Sequence, residues 1–209
     1  KALRYELSTQ ADKPTPVFAF PYDWRMDIQD TAKVLGEFID EVLARTLLLK
    51  HYKGAKNKIK VDLVGHSMGG LIITEYLSQF GSDHKIGKVV TIGTPYLGSI
   101  EEIVKITTGM SLLSGDIPKE REREAARATP AVYQLFPSYD KAAVFTKSGK
   151  DVDLFNSNNM QSSILKSLME YVRLFSVDTS SKQRKSKANE ILRSLLKIGK
   201  DHRNKVNNF

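Results

Sequence analysis

One bend in this chain constrains its folding more than any other feature. An apolar, β-branched run (Ile59, Val61, Leu63, Val64) leads into Gly65-His66-Ser67-Met68-Gly69, and a helical pattern follows (Leu71, Ile72, Tyr76, Leu77, Phe80). A buried strand has to turn sharply into a helix across one pentapeptide. In that context G-x-S-x-G reads as a nucleophile elbow, with the serine at the apex of a strained turn and its hydroxyl exposed above the sheet. Ser67 is the candidate nucleophile. The N–H of Met68 is the candidate donor to a developing oxyanion, helped by the positive end of the helix that starts there. Gly65 and Gly69 are expected to be glycine because a side chain at either would collide with the neighbouring strand or helix.

The chain before the bend reads as a short apolar strand, Pro16-Val17-Phe18-Ala19-Phe20, followed by a long helix. In that helix Ala32, Leu35, Phe38, Ile39, Val42, Leu43 and Leu47 recur at spacings of three and four. Asp27 or Asp30 can cap it. After the bend, Lys88–Gly93 reads as a third strand, broken by Thr94-Pro95. Strand, helix, strand, helix, strand with short crossovers predicts adjacent parallel strands with helices on the faces. Ser67 then sits at a carboxyl end of the sheet, where such folds place ligands. Past residue 99 the βαβ rhythm stops. Helical patterns run through Ser99–Met110, Glu120–Ala128, Ile164–Phe175 and the segment around Ile191–Ile198.

Charge is localised. Of the chain's formal +8, residues 182–205 hold a net +7: nine basic residues against Glu190 and Asp201. The high isoelectric point therefore belongs to one segment and does not imply a nucleic-acid-binding surface. No aromatic residue is interleaved with those charges, and nucleic acid is not expected as a partner. The segment has two readings. It can lie on an anionic membrane surface, or it can be a cap helix with a solvated basic face. There is no cysteine, and no cluster of His and carboxylates has metal-ligand spacing, so neither a metal nor an organic cofactor is expected. These residues contain no signal peptide and no apolar run of about 18 residues. The compartment stays open, with the cytoplasm favoured, as does the oligomeric state.

Three blocks together resemble one family: Phe20-Pro21-Tyr22-Asp23-Trp24-Arg25, Gly65-His66-Ser67-Met68-Gly69-Gly70, and Ile92-Gly93-Thr94-Pro95-Tyr96-Leu97-Gly98-Ser99. They look like the lecithin:cholesterol acyltransferase-like branch of the α/β hydrolases. Pro130–Pro137 and Val152–Phe155 are also similar to that family's cap region. The resemblance implies a mostly parallel α/β-hydrolase-type sheet, present as a partial core over residues 1–99. A helical cap insertion would occupy residues 100–209. It implies a serine acylhydrolase or O-acyltransferase that takes an acyl chain from a lipid ester onto Ser67 and passes it to water or an alcohol. Tyr22 and Trp24 follow the first strand, and Tyr96 and Leu97 follow the third. These are the candidate contacts to the substrate. Asp23 and Arg25 read as a local ion pair.

The triad is not complete in this pattern. In such enzymes the acid and the histidine follow the serine. Only His84 and His202 do so. His84 comes too early, and His202 lies in the basic tail, where solvation is expected. Asp151, Asp153 and Asp178 follow no convincing strand, and no Gly-rich loop upstream of residue 15 supplies a second oxyanion donor. The expectation is a part of a longer protein whose flanking strands carry the missing groups. The rival reading is a catalytically inactive lipid- or protein-binding module of the same fold.

Overall fold

The apolar run before the bend forms a strand, β1 (Val61–His66), and the pattern after it forms helix α2 (Met68–Phe80). A second strand, β2 (Ile86–Ile92), lies parallel to β1, with Val64 opposite Val90 and His66 opposite Ile92. The computed structural model describes residues 15–55, 58–81, 85–111, 118–177 and 180–209. Ahead of β1 runs α1 (Ile28–Leu47), and past β2 the chain is helical: α3 (Ile100–Thr108), α4 (Glu120–Arg127), α5 (Pro130–Gln134), α6 (Ser162–Phe175) and α7 (Ser181–Asn207). Short 3-10 turns occupy Lys50–Tyr52 and Ser157–Asn159. The chain divides into two compact units. The first comprises Lys1–Asp23 and Gln29–Thr94, and the second Trp24–Ile28 and Pro95–Phe209.

In the first unit the predicted helical spacing buries one face of α1 through Ala32, Leu35, Ile39 and Val42. Tyr76 of α2 packs against Gly36, where a Cβ would lie 3.1 Å from the ring. Gln79 donates to the Gln29 carbonyl (3.2 Å), and Lys85 pairs with Asp40 (2.6 Å). The β1–β2 ladder is irregular at Asp62. The Asp62 carboxylate accepts from the Lys88 N–H (2.8 Å) where the ladder register shifts between Val61 and Leu63. Leu63 and Gly65 are buried, whereas Val64, Val90 and Ile92 stay exposed.

The predicted strand at residues 16–20 does not form. Pro16, Phe18 and Phe20 are half-buried and alternate with exposed Val17 and Ala19, which is strand-like periodicity. Among the described residues β1 pairs with β2 alone, and without a partner ladder an extended segment is not a sheet strand. Phe20 instead packs on Phe38 of α1, ring centres 5.3 Å apart. Of the two expected caps, Asp27 directly precedes α1, and Asp30 lies in its first turn and pairs with Lys33 (2.7 Å).

The second unit has one core cluster, in which Ile106, Val132, Tyr133, Phe136, Ile164, Leu168, Leu192, Leu195 and Leu196 pack together. Long-range bonds satisfy part of its polar interior. Buried Arg127 donates to the Ile106 carbonyl (2.8 Å), Ser167 Oγ (2.7 Å) and Ser163 Oγ (3.1 Å), tying α3, α4 and α6 together. Gln134 is fully buried. Its Oε1 accepts from the Ile28 N–H (2.9 Å), and its Nε2 donates to Asp27 Oδ1 (2.8 Å). The first N–H of α1, an orphan donor by helix geometry, is thus satisfied from α5.

The basic tail is not a solvated appendage. α7 is 27 residues long and buries Ala188, Leu192, Leu195, Leu196, Gly199, His202, Arg203 and Val206. His202 is 0% exposed, which corrects the expectation that it is solvated. Among the described residues no helix is long and apolar enough to cross a membrane.

Candidate active site

Ser67 stands between the end of β1 and the start of α2 with φ 53° and ψ −125°. That left-handed φ is sparsely populated for a residue with a Cβ and costs of order 1–3 kcal/mol. The neighbours hold the backbone there. The Ser67 N–H donates to the Ile92 carbonyl (2.8 Å), extending the β1–β2 ladder by one residue, and the Gly70 N–H donates to the Ser67 carbonyl (3.1 Å), starting the helix. The side chain is exposed, and its hydroxyl does not cap the helix that it precedes. The N–H of Met68, first residue of α2, belongs to the orphan donors of the first turn.

The glycines divide differently from the expectation. A Cβ on Gly65 would lie 2.7 Å from Gly69 C and Gly70 N, so Gly65 lets the first turn of α2 close onto β1. Gly69 meets nothing within 4 Å, which corrects the predicted collision there. The second constrained position is Gly70, where a Cβ would overlap the Thr94 side chain. Thr94 follows β2 and packs beside the start of α2. The sequence signal for this contact was the doubled glycine, Gly69-Gly70, against the Thr94-Pro95 break.

Tyr22 also lies in the first unit. Its ring stacks on Phe20 (centroids 5.9 Å apart), and burial raises its phenol above the usual range. The other candidate contacts belong to the second unit. Trp24 is half-exposed, with Lys105 Nζ 6.0 Å from its ring centre, at the outer limit of a cation–π contact. Lys105 also pairs with Glu102 at 3.5 Å. Burial raises the Glu102 carboxyl above its ordinary value of 4.5, and Lys105 offsets this only in part.

Tyr96 and Leu97 are exposed on a loop held by its backbone. The Ser138 N–H donates to the Leu97 carbonyl (3.2 Å), and the Ser99 N–H to the Leu135 carbonyl (2.7 Å). Arg203 reaches the loop from α7 and donates to the carbonyls of Pro95 (3.5 Å), Tyr96 and Gln134 (3.4 Å). It is 1% exposed, and burial pushes its guanidinium pKa down to about 10. The charge count of the tail concealed this role. The signal that carries it is the helical spacing Leu192, Leu195, Leu196, Gly199, His202, Arg203, Val206, one continuous buried face.

Among the remaining candidates, Asp153 caps its own turn (Phe155 N–H to Oδ1, 2.8 Å). Asp151 is exposed, and Val144 and Asp151 form an isolated antiparallel bridge. His84 and Asp178 lie outside the described residues. Among those described, no group of three or more His, Cys, Asp or Glu is placed to hold a metal ion.

Comparison with known proteins decides the family. The model of the lecithin:cholesterol acyltransferase family matches residues 10–204. The chain belongs to that family. Over 125 residues it is 28% identical to the phosphatidylcholine-sterol acyltransferases of Gallus gallus and Oryctolagus cuniculus. That match covers 58% of this chain and 28% and 27% of those proteins. Over 76 residues it is 32% identical to an uncharacterized protein of Saccharomyces cerevisiae, covering 36% of this chain and 10% of that protein. The matched stretches of this lecithin:cholesterol acyltransferase family member thus span less than a third of each of these relatives. No solved structure matches.

Proposed function

We propose that this chain carries the nucleophile of a serine-dependent acyl-transfer enzyme acting on lipid esters. Residues 1–99 would be a partial α/β-hydrolase core, and residues 100–209 its helical cap. The Ser67 hydroxyl attacks the ester carbonyl. Its proton passes to a general base, and the Met68 N–H donates to the oxyanion of the tetrahedral intermediate. The intermediate collapses, the alcohol departs with a proton, and the acyl group stays on Ser67 Oγ until water or a second alcohol takes it. Tyr22, Trp24, Tyr96 and Leu97 supply apolar contact to the acyl chain. The general base is assigned to no described histidine: His51 and His66 precede Ser67 in the chain, and His202 is buried in α7.

One observation carries this reading. Ser67 is held in a strained conformation at a strand-to-helix bend while its side chain faces solvent. A serine serving only a turn has no need of that strain, which a glycine would relieve. Membership of a family whose curated relatives include phosphatidylcholine-sterol acyltransferases supports a lipid ester as substrate. The test is covalent labelling of the full-length protein with a fluorophosphonate probe. Labelling that vanishes in Ser67→Ala is expected. A folded full-length protein that resists the probe overturns the proposal in favour of an inactive binding module.

A further inference from the structure

The end of the α6–α7 helix pair carries side chains that neither the core nor the Ser67 chemistry uses. Leu174 is 62% exposed, Phe175 74% and Val177 89%; Tyr171 is also exposed and stacks on Phe175 with ring centres 4.8 Å apart. They stand at and just beyond the C-terminal end of α6, whose buried residues are Ile164, Leu168 and Val172. The next helix begins with a run of cations. Lys182, Lys185 and Lys187 are exposed and Arg184 is half-buried, and the first turn of α7 holds no acid. Its start is fixed by a capping box between Ser180 and Gln183. The two groups adjoin. The Glu170 carboxyl, held below its ordinary range chiefly by its hydrogen bond from Arg173, is lowered also by Arg184.

Lys182, Lys185 and Lys187 near a helix N-terminus oppose the helix dipole, so the dipole does not account for their placement. We propose that this tip is a docking surface for an anionic lipid bilayer, with Tyr171, Leu174, Phe175 and Val177 entering the acyl boundary and Lys182, Arg184, Lys185 and Lys187 resting on the phosphate layer. Charge decides among the occupants. A second copy of the chain would bring two basic clusters together. A nucleic acid or an acidic protein surface answers the cations and leaves four protruding apolar side chains in water. An anionic bilayer answers both groups at once.

The test uses the full-length protein and sedimentation with vesicles of phosphatidylcholine alone or mixed with phosphatidylserine. Binding to the mixed vesicles is expected. Phe175→Ala weakens it about tenfold, the worth of one buried aromatic side chain. Lys182→Gln and Lys185→Gln each weaken it about fivefold on mixed vesicles and leave any binding to neutral vesicles unchanged. A polarity-sensitive dye on Val177→Cys, with any cysteine outside these residues replaced by serine, reports the tip itself; its emission shifts to the blue on mixed vesicles. A dye that stays in a watery environment while the protein is bound overturns the proposal. So does a protein that ignores mixed vesicles, or one that self-associates through the tip instead. The inference stands apart from the Ser67 reading: Ser67→Ala leaves vesicle binding intact, and Phe175→Ala leaves probe labelling intact.

Discussion

Gly65 and Gly69 flank the same serine, yet alanine at the two positions should move stability in opposite directions. At Gly65 the new methyl would sit 2.7 Å from Gly69 C and Gly70 N and 2.8 Å from Gly69 O. All three are backbone atoms of the first turn of α2, so no side chain can swing aside. Overpacking of this kind costs about 1–3 kcal/mol, and the rigid neighbours put Gly65→Ala at the upper end. At Gly69 the methyl meets nothing within 4 Å and the backbone is helical, so Gly69→Ala gains about 0.5–1 kcal/mol of helix propensity. The two variants should therefore differ by about 3–4 kcal/mol, more than a hundredfold in the folded-to-unfolded ratio at about 1.4 kcal/mol per factor of ten. Urea unfolding followed by circular dichroism measures the difference. Fluorophosphonate labelling then reports whether the bend keeps its form, and Gly65→Ala should lose label while still folded in dilute buffer. Equal destabilisation by the two variants, or a neutral Gly65→Ala, would refute the steric account of the bend.

Two further substitutions probe the second unit. Because burial raises the folded-state pKa of Glu102, the folded protein binds more protons than the unfolded chain just above the ordinary value of 4.5. Its stability should fall as pH rises through that window, and Glu102→Gln should flatten the melting temperature between about pH 4 and about pH 7. A fall that persists undiminished in the variant would assign it to other groups. Arg203→Met keeps most of the volume but takes the donor from the Tyr96 and Gln134 carbonyls, at about 1–3 kcal/mol for each acceptor left unsatisfied, offset in part by removal of a buried charge. Amide exchange at residues 96–99 should quicken, and KM for an ester substrate should rise more than kcat falls. Arg203→Lys, with one compact ammonium, should not restore either. Unchanged exchange would separate Arg203 from the loop.

The bend and its flanking elements were legible because local chemistry dictates them. A β-branched run, a pentapeptide with glycine at its ends and a 3.6-residue apolar pattern leave one arrangement open for Ser67. The helices over 28–47 and 162–175 were legible from spacing alone. Residues 16–20 misled because alternation reports which side chains face inward, whereas a strand exists only if a neighbour accepts its ladder. Gly69 and Gly70 were confused for a related reason. Both lie in the first turn of α2, and only the position of Thr94, brought in from the end of β2, tells which of them needs to be bare. His202 and Arg203 were hidden by net charge. Charge counting treats a helix as a surface, while the periodicity running from Leu192 to Val206 shows that part of the tail is interior.

The carboxamide of Gln134 bears on how this protein can be divided for experiment. Both of its polar ends are spoken for by residues far back in the chain, Asp27 and the Ile28 amide. A fragment begun at Pro95 would omit them and leave a sealed amide group with nothing to bind, so that excision at an apparent boundary would yield a protein prone to swell or clump. Grafting Trp24–Ile28 back through a short linker is the cut that respects how the second half is stitched.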